Sequence, residues 1–165
     1  MMNRRQLLAS AAGFATIAAV GRFSMLASVS HAEEKFEIEK TADEWRAILT
    51  PEQFAVLREE DTERPFSSPL NDEHRKGVFA CAGCDLDAYS SDAKFDSGTG
   101  WPSFYEPLAN AVGTREDNSL FSKRIEVHCR RCGGHFGHVF DDGPKPTGLR
   151  YCMNGLALAF KPAAA

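Results

Sequence analysis

The chain has 165 residues, with 19 basic and 23 acidic side chains for a formal charge of −4 at pH 7, and 43% of its residues are hydrophobic. This is the composition of a globular chain with one domain and one core, not of a disordered or fibrous one. It is not basic enough for a nucleic-acid binder, and no apolar run reaches the roughly 18 to 20 residues that a membrane span requires.

The N-terminus differs from the remainder. Residues 1–32 contain Arg4, Arg5 and Arg22 and no Asp or Glu. The paired arginines precede an apolar stretch from Leu7 to Val20, and Ser30-His31-Ala32 forms a small-residue cleavage site. This layout reads as an export signal. Arg4-Arg5-Gln6-Leu7-Leu8 resembles a twin-arginine signal, which carries cargo already folded. An exported, periplasmic location is therefore expected. A mitochondrial presequence, an uncleaved amphipathic helix or a short anchor are the alternatives. Cleavage after Ala32 would leave residues 33–165 as a single domain with 16 basic and all 23 acidic residues, a charge of −7. No stable membrane insertion is expected of it.

Glu33 to Lys40 reads as a polar arm. Thr41-Ala42-Asp43-Glu44 fits a capping box, and Trp45 to Leu49 would continue that short helix. A second helix starts at Thr50, with Pro51 at its first position and Gln53 at its third. Phe54 and Leu57 would face the core from it, joined by Trp45. Residues 61–77 contain Pro65, Pro69, Asn71 and Gly77 and read as an extended connection over the surface. Short apolar runs follow, and Val78–Ala80, Leu120-Phe121, Ile125–Val127, Phe136–Phe140 and Leu156–Phe160 are strand candidates. The pattern predicts two helices on a small antiparallel β core with long loops.

The five cysteines divide unequally. Cys81-Ala82-Gly83-Cys84 and Cys129-Arg130-Arg131-Cys132 form two Cys-x-x-Cys turns, each after a strand candidate. Two such turns complete the tetrahedral sulfur shell that zinc prefers, which here would join distant parts of the chain. Two disulfides or redox dithiols are the other readings. Cys152 is left over, in Arg150-Tyr151-Cys152-Met153-Asn154. If that stretch is extended, Arg150, Cys152 and Asn154 share one face, and a guanidinium beside a thiol favours the nucleophilic thiolate. A buried structural cysteine is the bland alternative.

His135 and His138 follow the second cysteine turn, close enough to act as general acid or base for a thiolate, or else as metal ligands. Gly98-Thr99-Gly100-Trp101-Pro102-Ser103-Phe104 displays an indole on a glycine-rich loop without the spacing of a phosphate-binding turn. Trp101 is either an apolar wall for a small substrate group or a core residue pinned by the turn.

Several segments in order resemble the B-type methionine sulfoxide reductases. They are Thr62-Glu63-Arg64-Pro65-Phe66, Ser68-Pro69-Leu70-Asn71, the Cys81/Cys84 turn, Lys94 to Phe104, Gly137 to Pro144, and Arg150 to Asn154. The resemblance implies a mainly β (α+β) fold of two small antiparallel sheets with one structural Zn2+ on Cys81, Cys84, Cys129 and Cys132. It also implies reduction of methionine-R-sulfoxide, free or in oxidised proteins, with Cys152 as nucleophile. His135 and His138 would orient and protonate the oxygen, while Arg150 and Asn154 hold the thiolate, and Trp101 would bind the S-methyl group. Many members carry a resolving cysteine where this chain has Thr99. A one-cysteine cycle is therefore expected, its sulfenic acid reduced by a thioredoxin-type or other external thiol, in a monomeric enzyme.

Overall fold

The computed structural model describes residues 35–120 and 122–164, so the expected export signal lies outside the described residues. Among the described residues two short helices come first, α1 (Ala42–Arg46) and α2 (Pro51–Glu59). Both open on full capping boxes. Thr41 Oγ1 accepts from the Glu44 N–H while Glu44 Oε2 accepts from the Thr41 N–H, and Thr50 and Gln53 repeat the exchange. The first helix ends at Arg46 rather than running through Leu49. Thr50 precedes Pro51, which disfavours helical backbone at Thr50, and its ψ is an extended 159° as cap of α2.

Nine strands follow among the described residues, β1 (Gly77–Cys81), β2 (Asp87–Ser90), β3 (Lys94–Phe95), β4 (Ser103–Phe104), β5 (Val112–Leu120), β6 (Ser122–Cys129), β7 (His135–Phe140), β8 (Arg150–Met153) and β9 (Leu158–Pro162). They form two antiparallel sheets, a three-stranded one in the order β2-β1-β9 and a six-stranded one in the order β3-β4-β8-β7-β6-β5. Of the expected strand Leu120-Phe121, Leu120 closes β5 and Phe121 lies outside the described residues. Leu156 and Ala157 belong to a 3-10 turn, so the last strand begins two residues later than its apolar run.

The core lies between the sheets. Phe79 and Tyr89 come from the small sheet and Phe104, Phe136 and Met153 from the large one, all fully buried. Tyr89 stacks on Phe104 at 4.4 Å, Phe79 meets Phe104 edge-on at 5.0 Å, and the Tyr89 hydroxyl donates to Met153 Sδ at 3.0 Å. Trp45, Phe54, Val56 and Leu57 bury the helices against this layer, as the sequence predicts for Trp45, Phe54 and Leu57. Among the described residues no helix is long and apolar enough to cross a membrane.

Residues 61–77 are a correction. They do not simply run over the surface, because Glu63 and Ser68 are buried and Pro69–Asp72 forms a 3-10 turn. The Glu63 carboxylate accepts from the Gly155 N–H at 2.5 Å and the Leu156 N–H at 3.1 Å. Its backbone N–H donates to Asn154 Oδ1 at 3.0 Å, and its carbonyl accepts from the Trp101 indole at 3.0 Å. This one residue ties the connection to the turn after β8 and to the tryptophan loop. Burial raises its pKa, against the two backbone hydrogen bonds that lower it.

Candidate active site

Cys81 ends β1 and Cys129 ends β6, and in both cases the chain turns back to bring a second cysteine beside the first. All four sulfurs lie within 4.8 Å of one another. Cys81 Sγ is 3.7 Å from Cys132 Sγ, and Cys84 Sγ is 3.4 Å from Cys129 Sγ. A disulfide needs about 2.05 Å, so these are not bonded pairs, and the cysteines are free. Four metal–sulfur bonds of about 2.3 Å in a tetrahedron put the sulfurs about 3.8 Å apart, close to what is found. So many thiolates together also need a cation to offset their repulsion. Arg58 from α2 supplies a neighbouring charge. Its guanidinium stacks on Trp45 at 4.1 Å and donates to the Cys132 carbonyl at 2.9 Å and to its Sγ at 3.3 Å.

Cys152 stands apart from that cluster, in the middle of β8, paired with Ser103 of β4 on one side and His138 of β7 on the other. The pairing with β7 depends on Gly137, where a Cβ would lie 2.1 Å from the Cys152 carbonyl oxygen. A half-buried cavity is lined by Thr62, Trp101, Arg124, Gly137, His138, Phe140, Cys152 and Asn154. Thr99 Oγ1 is 3.7 Å from Cys152 Sγ and continues to the hydroxyls of Ser97 and Ser103 at 2.8 and 2.7 Å steps.

The expected site residues occupy different places around this cavity. Trp101, His138, Cys152 and Asn154 line it. Asn154 is itself buried, with Nδ2 donating to the Phe136 carbonyl at 3.1 Å, so it braces the backbone at the end of β8. Arg150 is held by Asp142 through two hydrogen bonds of 2.8 and 2.9 Å and stacks on Phe140 at 4.4 Å. Its pKa is raised chiefly by Asp142, with a smaller share from the charge of Cys152. His135 does not line the cavity. It is 3% exposed and lies behind His138, with ring centroids 5.4 Å apart.

Each histidine has a carboxylate behind it that the sequence reading missed. Asp117 Oδ2 accepts from His138 Nε2 at 2.8 Å and from Arg124 Nη2 at 2.6 Å. Hydrogen bonds from the Ser119 side chain and backbone, then from His138, hold Asp117 well below the usual carboxylate range. An ionised carboxylate only accepts, so the His138 proton sits on Nε2 and Nδ1 keeps its lone pair. Burial lowers the His138 pKa from 6.5 despite Asp117, so the ring is neutral at pH 7. Glu126, 2% exposed, accepts from His135 Nδ1 at 2.8 Å, pairs with Arg115 Nε at 2.5 Å and lies 3.4 Å from His128 Nδ1. Burial works to raise its pKa, but the hydrogen bonds from His128 and His135 and the charge of Arg115 outweigh it and hold the group at about 2.

The site can therefore present a thiol, a neutral imidazole and an indole to one small group in a partly dry cleft. Residues 49–162 match the SelR domain model. The chain is 56% identical over 125 residues to a peptide methionine sulfoxide reductase MsrB of Methanosarcina mazei, covering 75% of this chain and 89% of that one. It is 54% identical over 127 residues to the protein of the same name from Pseudomonas entomophila, covering 76% and 97%. The Agrobacterium fabrum protein of that name is 50% identical over 127 residues, covering 76% and 94%. With its two antiparallel sheets, its paired cysteine turns and its isolated Cys152, the chain belongs to the SelR family, that of the B-type methionine sulfoxide reductases.

Proposed function

We propose that the protein reduces methionine-R-sulfoxide to methionine, and that Cys152 carries the reaction as a protein-repair step after oxidative damage. The observation that carries this reading is that Cys152, His138 and Trp101 line one cavity while the other four cysteines cluster elsewhere. His138, neutral and oriented by Asp117, takes the thiol proton at Nδ1. The thiolate attacks the sulfoxide sulfur, and the imidazolium returns the proton to the oxygen. In the adduct so formed the protonated oxygen passes from the substrate sulfur to Cys152 Sγ as the new S–S bond breaks, so methionine leaves as the thioether and Cys152 is left as a sulfenic acid. Trp101 packs against the S-methyl group. Arg150 favours the thiolate, Asn154 fixes the end of β8, and His135 supports His138 from behind.

Two equivalents of an external thiol, of thioredoxin type or another donor, return the sulfenic acid to the thiol as a disulfide and water. Thr99, whose hydroxyl lies 3.7 Å from Cys152 Sγ, has no sulfur to offer, which supports a cycle with one catalytic cysteine. Cys81, Cys84, Cys129 and Cys132 would hold one Zn2+, and the spacing of their sulfurs supports that ion. When bound, it supplies a cross-link between β1 and β6 rather than chemistry. Residues 1–32 serve as an export signal, and 33–165 work as a monomer in the periplasm.

An assay on separated R and S epimers tests this. The wild type should reduce the R form alone, and Cys152→Ser should reduce neither. Turnover of the S form, or activity retained by the variant, would end the reading.

A further inference from the structure

Phe66 contradicts the economy of the rest of the fold. It is 73% exposed, so its ring adds nothing to the core. Its φ is 61°, a left-handed conformation that a bulky L-residue adopts only under constraint. The constraint is visible. The Phe66 N–H donates to the Gly100 carbonyl at 2.7 Å, and a Cβ at Gly100 would lie 2.9 Å from both the Phe66 ring and its nitrogen. The chain thus locks an aromatic ring outward against the loop that carries Trp101.

That ring is one wall of a second cleft, which Phe95, Trp101, Asp72 and Asp96 also line. Trp101 lines the Cys152 cavity as well, so the two clefts adjoin through the indole. The charged and titratable groups lining the second cleft are Asp72, Asp96, His74 and Lys94, and Lys94 Nζ donates to the Asn71 carbonyl at 2.7 Å, so with His74 neutral the carboxylates outnumber the cation by one. An extended chain advances roughly 3.5 Å per residue, so a chain with its sulfoxide at Cys152 would need only the few residues that pass one indole to enter this cleft. An aromatic face beside carboxylates suits an alkyl stem ending in a cation.

We propose that the cleft at Phe66 is a docking site for an unfolded polypeptide, seating a lysine or arginine within a few residues of the oxidised methionine. The proposal rests on the reductase reading and names the preferred context of its substrate. Free methionine sulfoxide is too short to reach the cleft.

The test uses the full chain with dithiothreitol as reductant, which removes any protein donor from the measurement. Three substrates are compared: N-acetyl-methionine-R-sulfoxide, and two otherwise identical peptides with lysine or glutamate flanking methionine-R-sulfoxide. The wild type should prefer the lysine peptide over the glutamate peptide by about threefold or more in kcat/KM. Phe66→Gly relieves the backbone, so its Tm should hold or rise. The same variant should raise KM for the lysine peptide, lowering the ratio of peptide to N-acetyl kcat/KM by about fivefold. Asp96→Asn should erase the preference for lysine over glutamate. An unchanged ratio in Phe66→Gly, or no peptide preference in the wild type, overturns the proposal. So does a peptide ratio that rises when residues 1–32 are removed, since the chain's own N-terminus would then be the occupant. Failure of the wild type on all three substrates would instead overturn the reductase reading.

Discussion

The cysteine cluster and the Cys152 cavity are made of the same element in the same small fold, yet they are built for opposite ends. The four clustered sulfurs stand at or just beyond strand ends, where the chain turns on itself and each sulfur meets three others within 4.8 Å. Cys152 stands inside a strand, where its neighbours across the sheet are Ser103 and His138 and its sulfur reaches an open cleft. On the proposed reading, which sulfur reacts is a matter of backbone position. A turn gathers sulfurs into a shell that satisfies them, whereas a strand keeps one sulfur separate and offers it a base.

The most direct way to break this comparison is to exchange the consequences of losing a sulfur. Cys152→Ser should lower R-sulfoxide reductase activity by about 10³-fold or more while metal content and Tm stay unchanged. Cys132→Ser should do the reverse at first, releasing metal and lowering Tm by roughly 10 °C or more, with activity lost only as the fold fails. Equal effects of the two variants on Tm would erase the distinction.

The chemical side sharpens at Asp117. Asp117→Asn should keep the fold and lower kcat by about 10²-fold, because an amide no longer fixes the proton on His138 Nε2. The acid limb of its kcat/KM profile should also move, which a purely structural loss would not cause. The smallest expected effect concerns Glu126, which lies between the two regions through His128 and His135. Its folded pKa of about 2 lies below the ordinary 4.5, so its stabilisation is present above pH 4.5 and is lost as pH falls toward 2. Urea unfolding should find Glu126→Gln less stable than the wild type by about 2 kcal/mol at pH 6, with the gap narrowing steadily as pH falls from 4.5 toward 2. A gap that does not change with pH would mean that packing, not charge, is what the carboxylate contributes.

The helix caps and the cysteine turns were legible in the sequence because they depend on residues three or four apart. Thr41 with Glu44, Thr50 with Gln53 and Cys81 with Cys84 carry their geometry locally. Cys152 was legible by contrast with those pairs. Two-residue strands such as β3 and β4 have no period to detect. Asp117 and Arg124 face each other only because of the β5–β6 register, and His138 reaches Asp117 only because β7 pairs next to them. Glu63 was hidden by its surroundings of proline and polar residues, since its partners Gly155 and Leu156 lie about 92 residues ahead. Thr62, Phe140 and Arg124 entered the cavity lining for the same long-range reason.

Only Gly133 and Gly134 separate the last clustered cysteine from His135, and His138 comes three residues later. So short a tether gives a disturbance of the sulfur shell little slack in which to fade before it reaches the two histidines. Were the four sulfurs to hold an ion, its loss would be felt first at these two imidazoles, ahead of the rest of the cleft.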